Sequence, residues 1–92
     1  MILVFAGSRT VSAATHGIDM LDACNYQYGL STFVRSTTGD VMGWRCYING
    51  SNGVIEQGGV NLNRYCSYMY GSSYKAHYSD FNNPYSWYCG PK

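Results

Sequence analysis

Two stretches of the chain carry the same helical spacing of apolar positions. Met20, Cys24 and Tyr28 recur four residues apart in the first, and Leu62, Cys66 and Tyr70 do so in the second. That spacing puts each trio on one stripe of a helix, with the cysteine mid-stripe. Asp19 and Asn61 stand ahead of the stripes as N-caps, and Gly29 and Gly71 stand behind them as C-terminal stops. Each helix is expected to run for about ten residues, or roughly three turns. The pattern then changes. Residues 32–35, 41–48, 74–78 and 85–89 read as extended segments. Thr38-Gly39-Asp40 and residues 79–84 between them are turn-forming. Cys46-Tyr47-Ile48, the Gly/Asn-rich residues 49–53 and Val54-Ile55 read as a hairpin leading into the second helix. Residues 2–6, 7–9 and 10–12 read as a similar hairpin leading into the first.

The parallel extends to residue identities. At an offset of 42, Gly17, Cys24, Tyr26, Tyr28 and Gly29 align with Gly59, Cys66, Tyr68, Tyr70 and Gly71. Ile18/Val60, Asp19/Asn61 and Met20/Leu62 are conservative pairs. Each copy closes on a Trp-x-Cys, Trp44-Arg45-Cys46 and Trp87-Tyr88-Cys89, at an offset of 43. The second copy therefore carries one extra residue, expected near Asn82-Asn83-Pro84. The reading is one domain: an N-terminal strand or hairpin at 1–16, repeat one at 17–46, a linker hairpin at 47–58 and repeat two at 59–89.

Four cysteines allow three connectivities. A duplicated unit should close on itself, which favours Cys24–Cys46 and Cys66–Cys89, each bridge pinning a helix to the strand behind it. A loop of that size is worth about 3 kcal/mol in the chain-entropy model. The expected fold class is α+β: two pseudo-repeats, each a short helix disulfide-linked to a small antiparallel sheet. The alignment leaves Ile2, Leu3, Val4 and Phe5 with no earlier copy to pair with. Either the two copies close around each other, or this apolar strand pairs with another chain. Ser12-Ala13-Ala14 also resembles a signal-peptide cleavage site, although the preceding apolar run is short and lacks a basic start.

The copies resemble a short module that recurs, often in tandem, in secreted bacterial proteins. Its marks are a Cys followed by Tyr-Gly and an ending like Tyr-Ser-Trp-x-Cys. That ending is Tyr85-Ser86-Trp87-Tyr88-Cys89 in the second copy, with a looser Met42-Gly43-Trp44-Arg45-Cys46 in the first. The resemblance covers about residues 17–46 and 59–89. It implies a disulfide module of accessory or cell-envelope type and carries no particular activity.

Composition sharpens this picture. Ile, Leu, Val and Phe supply 17 of 92 residues, too few for an ordinary core, while ten tyrosines make up the deficit. The net charge is only +1, and the six basic residues are scattered singly. That argues against nucleic acid and against electrostatic membrane binding. No stretch is long enough to span a membrane. Paired cysteines imply an oxidising, extracellular location. Asn49-Gly50-Ser51 matches a glycosylation sequon, which in a Gly/Asn turn is expected by chance.

Chemistry is harder to find. His16 and His77 fall outside the repeated positions and are expected in a solvated loop and on a strand. Neither a nucleophile elbow, a zinc-protease motif nor a calcium loop is present. No metal and no cofactor is expected. Trp44 and Trp87, each beside a disulfide cysteine, are expected in the core. The tyrosines are the better candidates for contact with a ligand. Tyr26 and Tyr68 lie off the buried stripes, and Tyr74 and Tyr78 share one face of a strand. The leading expectation is a non-catalytic secreted module binding carbohydrate or cell-wall glycan through Tyr26, Tyr68, Tyr74 and Tyr78. The first alternative is a subunit of an extracellular filament, self-associating through Ile2, Leu3, Val4 and Phe5. The second is a small secreted toxin or inhibitor. An enzyme ranks last.

Overall fold

The computed structural model describes residues 14–92. The expectations for Ile2, Leu3, Val4 and Phe5, and for the N-terminal hairpin, fall outside these residues. The order of elements is β1 (His16–Gly17), α1 (Met20–Tyr28), β2 (Phe33–Ser36), β3 (Trp44–Gly50), β4 (Gly53–Gly58), α2 (Leu62–Tyr70), β5 (Tyr74–Tyr78), a 3-10 turn (Pro84–Ser86) and β6 (Trp87–Pro91). The strands form two antiparallel three-stranded sheets, ordered β2-β3-β4 and β1-β6-β5.

Both helices begin where their caps stand. The Asp19 carboxylate accepts from the amides of Leu21 and Asp22, and the Asn61 side chain accepts from that of Arg64. Both end at a glycine with positive φ, 112° at Gly29 and 107° at Gly71. A side chain is rarely tolerated there, which explains why glycine recurs. The buried stripe is wider than the four-residue spacing implied. Ala23 and Tyr65, three residues into each helix, are buried beside the cysteines, while Tyr28 and Tyr70 are only half-buried.

Three local expectations need correction. Val41 is not in a strand. Asp40 accepts from the Met42 amide at 2.9 Å and from the Thr38 hydroxyl at 2.7 Å, holding a turn that delays β3 to Trp44. Residues 84–86 form a 3-10 turn, because Asn83 caps the Tyr85 amide at 2.9 Å and Pro84 sits at its start. His16 is not in a solvated loop. It pairs with Cys89 in β1 and stacks on Tyr70 with ring centroids 3.9 Å apart.

The strand that precedes each helix lies in the sheet next to the other helix. β4 runs into α2 but pairs with β3, and β1 runs into α1 but pairs with β6. At His16–Gly17 the chain therefore pairs with itself. The two tryptophans repeat this exchange. Trp44 Nε1 donates to the Pro84 carbonyl at 2.8 Å, and Trp87 Nε1 donates to the Val41 carbonyl at 2.9 Å. Tyr28 and Gln27, at the end of α1, add further ties. The Tyr28 hydroxyl donates to the Gly59 carbonyl at 2.7 Å, and Gln27 Oε1 accepts from the Asn61 amide at 2.7 Å. β4 bulges where it passes Cys46 and Tyr47. Gly58 there has φ 133°, and a Cβ on it would lie 2.9 Å from the Tyr28 hydroxyl oxygen.

The core is small. Met20, Ala23, Trp44, Leu62, Tyr65, Cys66 and Cys89 cluster together, flanked by half-buried Ile18, Val34, Val60 and Ala76. The bridges are Cys24–Cys46 and Cys66–Cys89, spanning 22 and 23 residues, and all four cysteines are fully buried. Each joins a helix to a central strand. Replacing Cys24 and Cys46 together by Ala should cost about 2–5 kcal/mol, from the released loop and the lost packing. Urea titration of the variant checks this. An unshifted midpoint would mean that the thin core suffices without the bridge.

Candidate functional site

The tyrosines expected to meet a ligand fall in three places. Tyr26 and Tyr68 stack on each other between the helices, centroids 4.2 Å apart, with the edge of Tyr65 beneath Tyr26 at 6.0 Å. Tyr68 keeps 64% of its surface exposed, while Tyr26 is half-buried under the Arg64 guanidinium at 5.9 Å. Tyr74 packs beside Tyr70 and His16. It and Ala76 lean on the core, so their strand face looks inward rather than to solvent. Tyr78, 42% exposed, sets its ring edge-on to Trp87 at 5.2 Å and to Phe81 at 6.1 Å. These four rings do not make one flat row.

A concave site lies next to Tyr78. Val41, Met42, Trp44 and Arg45 form one wall of a cleft of about 340 Å³; Gly59, Val60, Asn61, Leu62 and Asn63 form the other, with Ala76 and Trp87 completing it. The reciprocal tryptophan bonds shape the first wall, since Trp87 is anchored to the Val41 carbonyl. The caps shape the second. Asn61 spends its side-chain oxygen on the Arg64 amide at 3.0 Å, and Asn63 spends its own on the Ala76 amide at 2.9 Å. Because the partners are N–H groups, the oxygen ends are identified, and each asparagine has its NH2 end left to offer. Arg45 is held by the carbonyls of Met42 at 3.1 Å and Trp44 at 2.8 Å. Both bonds use Nη1, which leaves the rest of the guanidinium for other acceptors. The cleft is thus aromatic and aliphatic on its sides, with hydrogen-bond donors at its rim. Such a surface suits a ligand rich in oxygen acceptors.

The histidines are occupied elsewhere. His16 stacks on Tyr70, and His77 stacks on Tyr88 while its Nε2 lies 2.9 Å from the Pro91 carbonyl. Among the described residues no cluster of three or more His, Cys, Asp or Glu is arranged to hold a metal ion.

Matched positions alone do not reveal the cleft. Trp44, Gly59 and Trp87 in its lining agree with their alignment partners, but Met42, Arg45 and Asn63 stand opposite Tyr85, Tyr88 and Leu21. Tyr85, in the place matching Met42, sets its ring edge-on to Trp44 at 5.5 Å.

The helix pair beside the cleft is tied by a polar contact. The Tyr65 hydroxyl donates to the Asp22 carboxylate at 2.5 Å. Burial, and then this bond and the carboxylate's charge, push the Tyr65 pKa above its ordinary value. In the unfolded chain the phenol ionises near its usual pKa of about 10, and in the fold it ionises higher. Its stabilisation is therefore complete below about pH 10 and is lost as pH rises through the folded pKa. Tyr65→Phe should cost about 1 kcal/mol at neutral pH. It should also lose less stability than the parent between about pH 9 and about pH 11. Urea titrations across that range check this, and equal losses in both proteins would refute it. No protein-family model, no curated protein and no solved structure matches this chain, so the cleft is read from its own residues.

Proposed function

We propose that this chain is a non-catalytic secreted module that binds carbohydrate, and that it arose by duplication of one disulfide-linked helix–sheet unit. The observation that carries the binding reading is the Trp87-walled cleft with the amides of Asn61 and Asn63 and the Arg45 guanidinium at its rim. Sugar rings present apolar faces and hydroxyl oxygens together, and an aromatic wall beside fixed donors meets both demands. Tyr78, edge-on to Trp87, extends the aromatic surface beyond the cleft. The exposed ring of Tyr68, backed by Tyr26, is a second place where a sugar chain can stack.

The duplication reading rests on matched geometry. Each half has an Asn or Asp cap, a positive-φ glycine stop, a helix-to-strand disulfide and a tryptophan donating to the other half three residues before its partner tryptophan. It also accords with the resemblance of both copies to tandem modules of secreted bacterial proteins. Two buried disulfides in a domain this small are compatible with an extracellular location.

Asn63→Asp tests the cleft. It keeps the oxygen that accepts from Ala76 but removes the amide donor and adds a negative charge. Affinity for a glycan ligand found by array screening should fall about tenfold, with thermal stability unchanged. Met42→Trp should block the same ligand by filling the mouth, since Met42 is exposed. An array of neutral and acidic glycans, and a cell-wall pull-down, both silent at high protein concentration, would refute the reading.

A further inference from the structure

We infer that the outer face of the β2-β3-β4 sheet recognises negative charge, so that the module prefers acidic polysaccharides; this rests on the carbohydrate reading above. The register pairs Phe33 with Tyr47 and Arg35 with Arg45. Side chains alternate along a strand, so these four share one face, opposite the core-facing Cys46 and Trp44. Phe33 and Tyr47 stack with centroids 5.7 Å apart. The Arg35 guanidinium lies over both rings, 5.4 Å from Phe33 and 5.2 Å from Tyr47. Arg45 reaches from this face to the cleft, where the Met42 and Trp44 carbonyls hold it.

Arg35 and Arg45 are opposite each other in register, and their side chains then part: the Arg35 guanidinium lies over the ring pair, and that of Arg45 turns to the Met42 and Trp44 carbonyls. The face thus carries one cation at the aromatic pair and another where it meets the cleft. The charge nearest by register is Glu56, opposite Tyr47 on β4. It shares this face, on the β4 side of Tyr47, while Arg35 and Arg45 stand across β2 and β3. The hydrogen bonds of Arg45 go to carbonyls and the contacts of Arg35 to rings, so both keep guanidinium donors for a ligand. An aromatic pair overlaid by the Arg35 guanidinium, with the Arg45 guanidinium further along at the cleft, matches a sugar chain bearing carboxylates. The face and the cleft meet at Arg45, which lets one polysaccharide chain engage both. A single-stranded nucleic acid also stacks on aromatic sheet faces, but it calls for a longer cationic track than two arginines beside a glutamate.

The test uses the disulfide-intact chain and titration calorimetry. Probes are polyuronate oligomers, a panel of neutral glucan, mannan and chitin oligomers, and oligothymidylate. The polyuronate should bind about tenfold tighter than the best neutral oligomer, with an advantage that shrinks as salt is raised. Arg35→Gln should erase that advantage and leave neutral binding intact, because Arg35 lies outside the cleft. Lys75→Gln, which removes an equal charge from the other sheet, should leave it in place. An advantage that is absent, survives Arg35→Gln or disappears equally with Lys75→Gln overturns the inference, while continued neutral binding leaves the carbohydrate reading standing. Silence with every sugar overturns both. Oligothymidylate binding that Arg35→Gln abolishes, without polyuronate binding, overturns the inference in favour of nucleic acid.

Discussion

Cys24, Cys46, Cys66 and Cys89 occupy places where a larger protein would put leucine or isoleucine, and no part of them reaches solvent. With so few aliphatic residues, burial alone offers this chain a marginal core. Each cystine fills that core with its own atoms and also shortens the loop between a helix and a strand. Much of the remaining arrangement follows from those two fixed points. Trp44 and Trp87, two residues before Cys46 and Cys89, are held where their indole N–H groups reach across to Pro84 and Val41. Those bonds, with Tyr28 and Gln27 reaching the segment before α2, join two units that individually have little apolar surface to share.

The parts of this fold legible in the sequence are those set by local chemistry. Caps at Asp19 and Asn61 and stops at Gly29 and Gly71 bound the helices because each satisfies helix-end groups within a few residues. The bridges follow the closed-unit logic of the repeat. The β3–β4 hairpin was visible from its Gly/Asn turn, though its strands run to Gly50 and Gly53 and leave only Ser51 and Asn52 between them. The less legible parts depend on contacts distant in sequence. Nothing near Val41 announces that its amide donates to the Phe81 carbonyl, a bond that keeps the segment a turn. Nor does alternation along β5 reveal that Tyr74 and Ala76 point at α2 rather than at solvent.

The candidate site was obscured for a related reason. Counting tyrosines locates aromatic surface but not concavity, and concavity comes from how two walls meet. Here the walls are the Val41–Arg45 and Gly59–Asn63 segments, brought together by the strand exchange. Tyr78, expected from the sequence to share a ligand-facing strand face with Tyr74, sets its ring edge-on to Trp87.

If the two halves are copies of one unit, as proposed, agreement between them serves structure and disagreement leaves room for chemistry. Positions under the same local constraint in each half are alike: caps, stops, cysteines, tryptophans and the stacked pair Tyr26 and Tyr68. Positions free of that constraint can diverge, and divergence lets one half present what the other does not. Met42 lines the cleft where the aligned residue is Tyr85, and Arg45 in place of Tyr88 puts a cation in the lining and on the adjoining sheet face. Asn63 in place of Leu21 bonds the Ala76 amide and keeps a donor for the cleft. The changes at Arg45 and Asn63 put directed polar groups in the lining of the same cavity, without touching any bond that joins the halves. On the proposed reading, the cleft and its arginine-bearing flank, rather than the matched scaffold, carry the recognition chemistry.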